Sequence, residues 1–489
     1  MKNIKRIKSL IAVFLVFVIC FSINVNAQEK EEFQSVDVDE NQFLATYVSY
    51  PADFEKDFIS AIKNYKSEIN VSKYRIYGSN ISAVLYEICN KYPEYFYYDL
   101  SGTSYSTFMN RVAVIRLEYY YSESKCKDMI AQLERAVKTP LEQVEKLNND
   151  EEKFLFIHDY IATHNTYDED GLSGNVDLVD DISFTAYGCL VLNKSVCQGM
   201  SDAFILLCKR AELLSYFVSS EPLCHAWNMV KIDDKYYHLD ITWDDNATIS
   251  GYDFIELNGY VSHKYFFKSD DQFIESGHSK SGRIDWDTEN KANDSESYNN
   301  FYWENVDSCI FYIGAYSYYI KDGKLIKRDR YSGSIETAYV IPNKSGWDYS
   351  YSKLAYDYNT NYLFINEYDG IYAYNADSGD VFKVFNNSEN GLILGIAFFG
   401  DELKYDVVKN NSVVATKTAS IVFPTSEKIL GDINDSGEFD INDILDLKQA
   451  LAGSFEGLNK YNADMNADGE INTADLLLMR KQYVEWTLF

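Results

Sequence analysis

The stretch from Ser195 to Asp245 constrains the fold of this chain more than any other. It reads SVCQGMSDAFILLCKRAELLSYFVSSEPLCHAWNMVKIDDKYYHLDITWDD, with a cysteine, a histidine and an aspartate at the start of, or inside, readable elements. Ala203, Phe204, Leu206, Leu207 and Ala211 recur at helical spacing, so an amphipathic helix is expected just after Cys197. The free amides and the positive dipole end at such a helix start favour a thiolate. Two β-patterned runs follow, Ala226–Ile232 and Lys235–Thr242, joined by Asp233-Asp234. A two-residue connection between such runs predicts a β-hairpin.

With the two aspartates as the turn, Ile232 pairs with Lys235, and counting outward sets Trp227 opposite Asp240. His225 then shares a face with Asp240 and lies diagonal to it, about 7–8 Å away, within reach of longer side chains. The expected site is Cys197 as nucleophile, His225 as base and Asp240 as the carboxylate that orients it, the logic of acyl-transfer enzymes. Trp227, facing Asp240, would shield it. Taken singly, each residue has a plainer role: a small buried cysteine, a strand-end histidine, a turn or edge aspartate. His238 shares the face of Asp240 and is a rival base.

VCQGMSDAF, HAWNMV and YYHLDITWDD resemble, in order, the three motifs of the transglutaminase-like superfamily of papain-type cysteine enzymes. The resemblance runs from about Phe154 to Asp245 and includes FIHDYI and TAYG upstream. It implies an α+β papain-like core, with Cys197 as nucleophile, His225 rather than His238 as base, and Asp240 orienting it. It implies attack on an amide of a protein or peptide substrate through a thioester, with no cofactor for catalysis. Hydrolysis is the favoured outcome, because bulk water is always present. The alternatives are a cross-linking transglutaminase and a non-catalytic subunit that contacts cell-wall carbohydrate. His158, in FIHDYI, is read as a structural helix residue.

The flanking chain is read as several further domains. Residues 1–27 have a basic start (Lys2, Lys5, Arg6, Lys8), a short apolar run from Leu10 to Phe21 and a small exit residue, Ala27, which is the order of a signal peptide. A secreted protein is therefore expected. Its net charge of −30 argues against nucleic acid or an anionic membrane as partner. The cysteines show neither a disulfide framework nor zinc spacing. Cys224 is read as a buried strand residue. Residues 28–150 read as a mixed α/β region packed on a core at 151–280, with the acidic stretch Asp168 to Asp181 as a loop. Residues 281–300 read as a polar boundary. Residues 301–425 alternate aromatic and aliphatic with polar positions in three similar units, which predicts propeller-like blades or a sandwich. Their aromatics are a candidate carbohydrate contact, though such stripes usually face a core.

The C-terminus repeats one pattern twice. GDINDSGEFDIND and DMNADGEINTAD each fit a calcium loop, with side-chain oxygens at positions 1, 3, 5, 9 and 12, glycine at 6 and a backbone carbonyl at 7. The first set is Asp432, Asn434, Ser436, Glu438, Asp440 and Asp443, turning at Gly437; the second is Asp464, Asn466, Asp468, Glu470, Asn472 and Asp475, turning at Gly469. Two structural Ca²⁺ ions are expected. Each loop runs into a helix, and position 12 is aspartate. The duplicated unit resembles a type I dockerin over about Ile429 to Glu485, placed in a domain at 429–489. The resemblance implies a small all-α calcium-binding module that docks to a cohesin module of a scaffoldin in a cellulosome-type complex. Its recognition positions fall on Ile441, Asn442, Lys448 and Gln449, and on Thr473, Ala474, Arg480 and Lys481.

Overall fold

The computed structural model describes residues 33–36, 49–168, 182–245, 259–288, 290–306, 308–344, 347–358, 360–389, 391–399, 402–410, 412–421, 430–434, 438–453, 460–466 and 470–487. The expected signal peptide lies outside them. They divide into two compact units, a larger one through Ser420 that leaves out Phe382–Val384, and a smaller one made of those three residues and the chain from Ile421.

The larger unit opens with β1 (Phe33–Ser35), α1 (Ala52–Lys63), β2 (Glu68–Asn70), α2 (Ile81–Lys91), β3 (Tyr98–Phe108), β4 (Arg111–Tyr119) and α3 (Glu123–Val144). The strands form one antiparallel sheet in the order β1-β3-β4-β2. α1 buries Phe54, Phe58, Ala61 and Ile62, which helical spacing places on one face, and these share a core with Val84 and Leu85 of α2 and Val112 and Ile115 of β4. α3 continues past Pro140, which is buried within it.

Then come α4 (Asp150–His164), β5 (Thr166–Tyr167), α5 (Ala186–Val191), β6 (Lys194–Ser195), α6 (Cys197–Arg210), β7 (Ser215–Ser220), β8 (His225–Ile232), β9 (Lys235–Leu239), α7 (Ile241–Asp244), β10 (Phe266–Lys268) and α8 (Asp270–Glu275). β10-β9-β8-β7 form an antiparallel sheet. Strand alternation gives β8 two apolar faces. Val230 and Ile232 join the core built on Phe204 and Leu207 of α6 and Phe154 of α4, while Trp227 and Met229 join Val218, Phe273 and Trp286. The polar stretch 281–300 is therefore tied to this sheet. It buries Trp286 and Ala292, and Ser219 N–H donates to Asp287 Oδ1 at 2.6 Å.

Three antiparallel sheets succeed one another along the next hundred or so residues. They are β11 (Phe311–Ile313), β12 (Tyr316–Lys321), β13 (Lys324–Asp329) and β14 (Ile335–Val340); β15 (Leu354–Asp357), β16 (Tyr362–Glu367), β17 (Gly370–Asn375) and β18 (Val381–Asn386); and β19 (Leu392–Phe399), β20 (Glu402–Lys409) and β21 (Ser412–Thr418). Each corresponds to one of the three similar sequence units. The strand pairing defines three meanders and does not define a propeller. The meanders are anchored to the core: Arg330 Nε donates to Glu152 Oε1 at 3.0 Å, and its guanidinium also bonds Oε2. Gly259, at φ +75, passes so close to β19 that a Cβ would stand 1.8 Å from the Ile396 carbonyl oxygen.

The smaller unit contains α9 (Ile441–Leu451), α10 (Lys460–Ala463) and α11 (Thr473–Thr487) around Ile433, Phe439, Ile444, Leu447, Ala463 and Met479. Among the described residues no helix is long and apolar enough to cross a membrane.

Candidate active site

Cys197 is the first residue of α6, and the residue before it, Val196, offers no side-chain cap. Gly199, two residues further in, fixes the approach of the helix start to the preceding segment, because a Cβ there would lie 2.4 Å from Ser183 O and 3.0 Å from Thr185 O.

The hairpin has the register counted above. Ile232 pairs with Lys235, Met229 with His238 and Asn228 with Leu239, so Trp227 and Asp240 are the next positions outward. Asp233 takes the positive φ of a tight turn, +53. His225 opens β8, while Asp240 follows β9 and N-caps α7, its Oδ1 accepting from Trp243 N–H at 3.1 Å. The two meet: His225 Nε2 donates to Asp240 Oδ2 at 2.6 Å, which leaves Nδ1 for the Cys197 thiol hydrogen-bonded to this ring.

The electrostatics follow from that geometry. Burial pushes the Cys197 thiol up, but the hydrogen bond and charge of His225 and the Ala226 N–H outweigh it and hold the thiol below its ordinary value. Burial disfavours a charged His225, yet Asp240 and then Cys197 raise it to about 10. Asp240 is fully buried, and against that burial the charges and hydrogen bonds of His225 and His278 hold its carboxyl well below the usual range. The arrangement can keep a thiolate beside an imidazolium.

His238 is committed elsewhere. Trp227 Nε1–H donates to its Nδ1 at 3.0 Å, its Nε2 donates to Asp270 at 2.9 Å, and burial keeps it below the usual imidazole range. Cys224 is not in a strand but in the turn before β8, half-buried at φ +51.

Two residues outside the motif set also reach the site. His278 Nε2 donates to the same Asp240 oxygen at 2.9 Å, and its ring lies between Trp243 and Phe273, with centroids 3.9 and 4.0 Å away. Tyr167 pairs with Ser195 across the short parallel ladder of β5 and β6. Its phenol oxygen accepts the Cys197 backbone N–H and its hydroxyl faces the thiol; burial and the Cys197 charge push it well up. Neither residue belongs to a local pattern.

The two C-terminal loops are built alike. Asp443 Oδ1 accepts from Ile433 N–H at 2.9 Å and Oδ2 from Asp440 N–H at 2.8 Å; Asp475 repeats this with Met465 and Asn472, both at 2.9 Å. Both position-12 aspartates are fully buried. Asp432, Asn434, Glu438, Asp440, Asp464, Asn466, Glu470 and Asn472 are described, while Ser436, Gly437, Asp468 and Gly469 lie outside the described residues. Ile441, Asn442, Lys448, Gln449, Thr473, Ala474, Arg480 and Lys481 are all exposed. Of the acidic loop, Asp168 pairs with Lys194 at 2.7 Å, and the rest lies outside the described residues.

The site is thus defined by a buried thiol at a helix start, an imidazole and a carboxylate. Residues 430–483 match the dockerin type I domain, so the chain carries such a domain there. A crystal structure of a TGase is similar at 13% identity over 40% of this chain and 49% of that one, with a TM-score of 0.21. A structure from Cytophaga hutchinsonii described as a candidate cysteine protease is similar at 18% identity over 27% of this chain and 51% of that one, with a TM-score of 0.18. The chain therefore spans about half the length of these two structures. No curated protein matches it.

Proposed function

We propose that this is a secreted, dockerin-borne cysteine enzyme of transglutaminase-like type that cleaves amide bonds in proteins or peptides. The observation that carries this reading is the Cys197 thiol hydrogen-bonded to His225, which Asp240 holds at 2.6 Å. The Cys197 thiolate attacks the amide carbonyl, and the His225 imidazolium gives its proton to the leaving amine. A Cys197 thioester remains. Water, deprotonated by His225, then adds and releases the acid with the thiolate restored. The incoming carbonyl oxygen would take the Cys197 N–H from Tyr167, and the freed phenol would be a second donor to the developing oxyanion. The carboxylate loops of residues 430–483 would bind two Ca²⁺ ions, and the exposed residues at the starts of α9 and α11 would face a cohesin partner of a cellulosome-type complex.

Brief iodoacetamide labelling across a pH series, read by mass spectrometry at each cysteine, tests the chemistry. Cys197 should alkylate selectively well below the ordinary thiol value of about 8.5. His225→Ala should abolish that selectivity, and Cys197→Ala should lower turnover by roughly 10⁴-fold or more. Slow labelling of Cys197, indistinguishable from the other thiols, would mean an inert site.

A further inference from the structure

A second buried cluster lies outside the thiol site. One ligand atom from each of His158, Asp159 and His263 lies within 4.8 Å of the other two, in residues at most 4% exposed. Asp159 Oδ1 is 3.0 Å from His158 Nδ1 and 2.9 Å from His263 Nε2. The far atom of each residue is fixed separately. His158 Nε2 faces Asp244 Oδ2 at 3.2 Å, His263 Nδ1 donates to Val306 O at 3.1 Å, and Ile310 N–H donates to Asp159 Oδ2 at 2.8 Å. Asp244 is itself held by Ser262 Oγ–H at 2.6 Å and Tyr265 N–H at 3.1 Å. In metal centres the ligands' remote atoms are tied in this way, to a carboxylate, a carbonyl and an amide, so that the near atoms converge.

We propose that His158 Nδ1, Asp159 Oδ1 and His263 Nε2 bind a divalent transition-metal ion, Zn²⁺ fitting this donor set best. Zinc bonds of about 2.1 Å in a tetrahedron need ligand atoms roughly 3.4 Å apart, so the two short contacts open by a few tenths of an ångström. A water takes the fourth position. The ion joins α4 to His263 in the segment before β10, with Asp244, Val306 and Ile310 behind the ligands, and it has a structural role. The inference does not rest on the proposed chemistry at Cys197.

The test uses the full chain, saturated with Ca²⁺, reloaded with Zn²⁺ after dipicolinate treatment, gel-filtered and assayed for zinc. About one equivalent per chain should be retained, and His263→Ala should retain almost none. Because loss of a buried imidazole can unfold that variant, zinc retention and zinc-edge X-ray absorption of His278→Phe, which breaks up the His225–Asp240–His278 group, supply a second reading: about one equivalent should remain, with nitrogen and oxygen neighbours, imidazole scattering and no sulfur. Wild-type protein that retains no zinc, or zinc bound through sulfur, would overturn the proposal and leave the cluster as a protonated ion network.

Discussion

At the scale of single residues, the notable group is Asp240, whose Oδ2 serves two imidazoles at once, His225 at 2.6 Å and His278 at 2.9 Å. An aspartate whose carboxyl is held down in the folded protein adds stability above its unfolded value of about 3.9, and that stability is lost as pH falls through the folded value. His278 is one of the groups that hold it down. His278→Phe keeps an aromatic ring between Trp243 and Phe273 but removes the donor. A hydrogen bond to a charged group contributes about 1.5–3 kcal/mol, which corresponds to a rise of roughly one to two pKa units for Asp240. The acid limb of kcat/KM and of Cys197 labelling should therefore move to higher pH, and the acid unfolding midpoint with it. The alkaline limb, set by His225 near 10, should stay. His278→Gln, which can still donate an N–H, should restore much of the acid limb. An unmoved acid limb in both variants would remove His278 from the site. Spacing located the element ends at which Cys197, His225 and Asp240 sit, while the choice of His225 over His238 came from the motif resemblance. The sequence hid His278, which reaches Asp240 only after the chain has passed through β10 and α8. It hid Tyr167 for the same reason, since its position depends on a parallel ladder with residues nearly thirty positions further on.

At the scale of elements, α6 is set by its close approach to the segment that precedes it. A Gly→Ala change inside a helix ordinarily stabilises by about 1 kcal/mol. At Gly199 the new Cβ would meet two backbone oxygens, at 2.4 and 3.0 Å, and the Ser195 Cβ at 2.8 Å. Backbone cannot rotate out of the way as a side-chain end can, and overpacking costs about 1–3 kcal/mol. Strain therefore exceeds propensity, and α6 must move at the end that carries Cys197. Gly199→Ala should lower the urea midpoint and reduce selective Cys197 labelling by about tenfold or more. A variant as stable and as reactive as the parent would show that this packing is looser than its distances. The register of the β8–β9 hairpin was legible, because a two-residue turn fixes the pairing outward from it, but the second strand ends at Leu239 and not at Thr242, and Asp240 caps α7 instead. The stretch 281–300 was not legible. Its polar composition suggested a boundary, while Trp286 packs edge-on against Trp227 with centroids 5.7 Å apart. A single buried tryptophan does not alter the average of the polar residues around it.

At the scale of the whole molecule, the three sheets between β11 and β21 belong, apart from Phe382–Val384 of β18, to the same compact unit as the thiol site, whereas those three residues and 421–489 form another. The alternating pattern predicted the strands of all three meanders. How they close is settled by contacts far apart in sequence, such as Gly259 beneath Ile396 and Arg330 on Glu152, which no local pattern encodes. The smaller unit was more legible, since its repeat is local and its chemistry is carried by each loop alone. Asp443 and Asp475 each receive backbone amides from positions 2 and 9 of their loops while buried among other carboxylates. Such crowding of oxygens is stable only around a cation, so calcium binding and folding of this unit should be one event. Asp443→Asn keeps the shape and removes a charge from the first loop, and Asp475→Asn does the same in the second. Each should lose one of two bound Ca²⁺ ions by equilibrium dialysis. The two variants should cost similar affinity, because each loop offers three aspartates, Asp432, Asp440 and Asp443 in the first and Asp464, Asp468 and Asp475 in the second. The double variant should lose the calcium-dependent resistance of 421–489 to proteolysis, with Cys197 labelling unchanged. Loss of both together would mean that the two units do not fold independently.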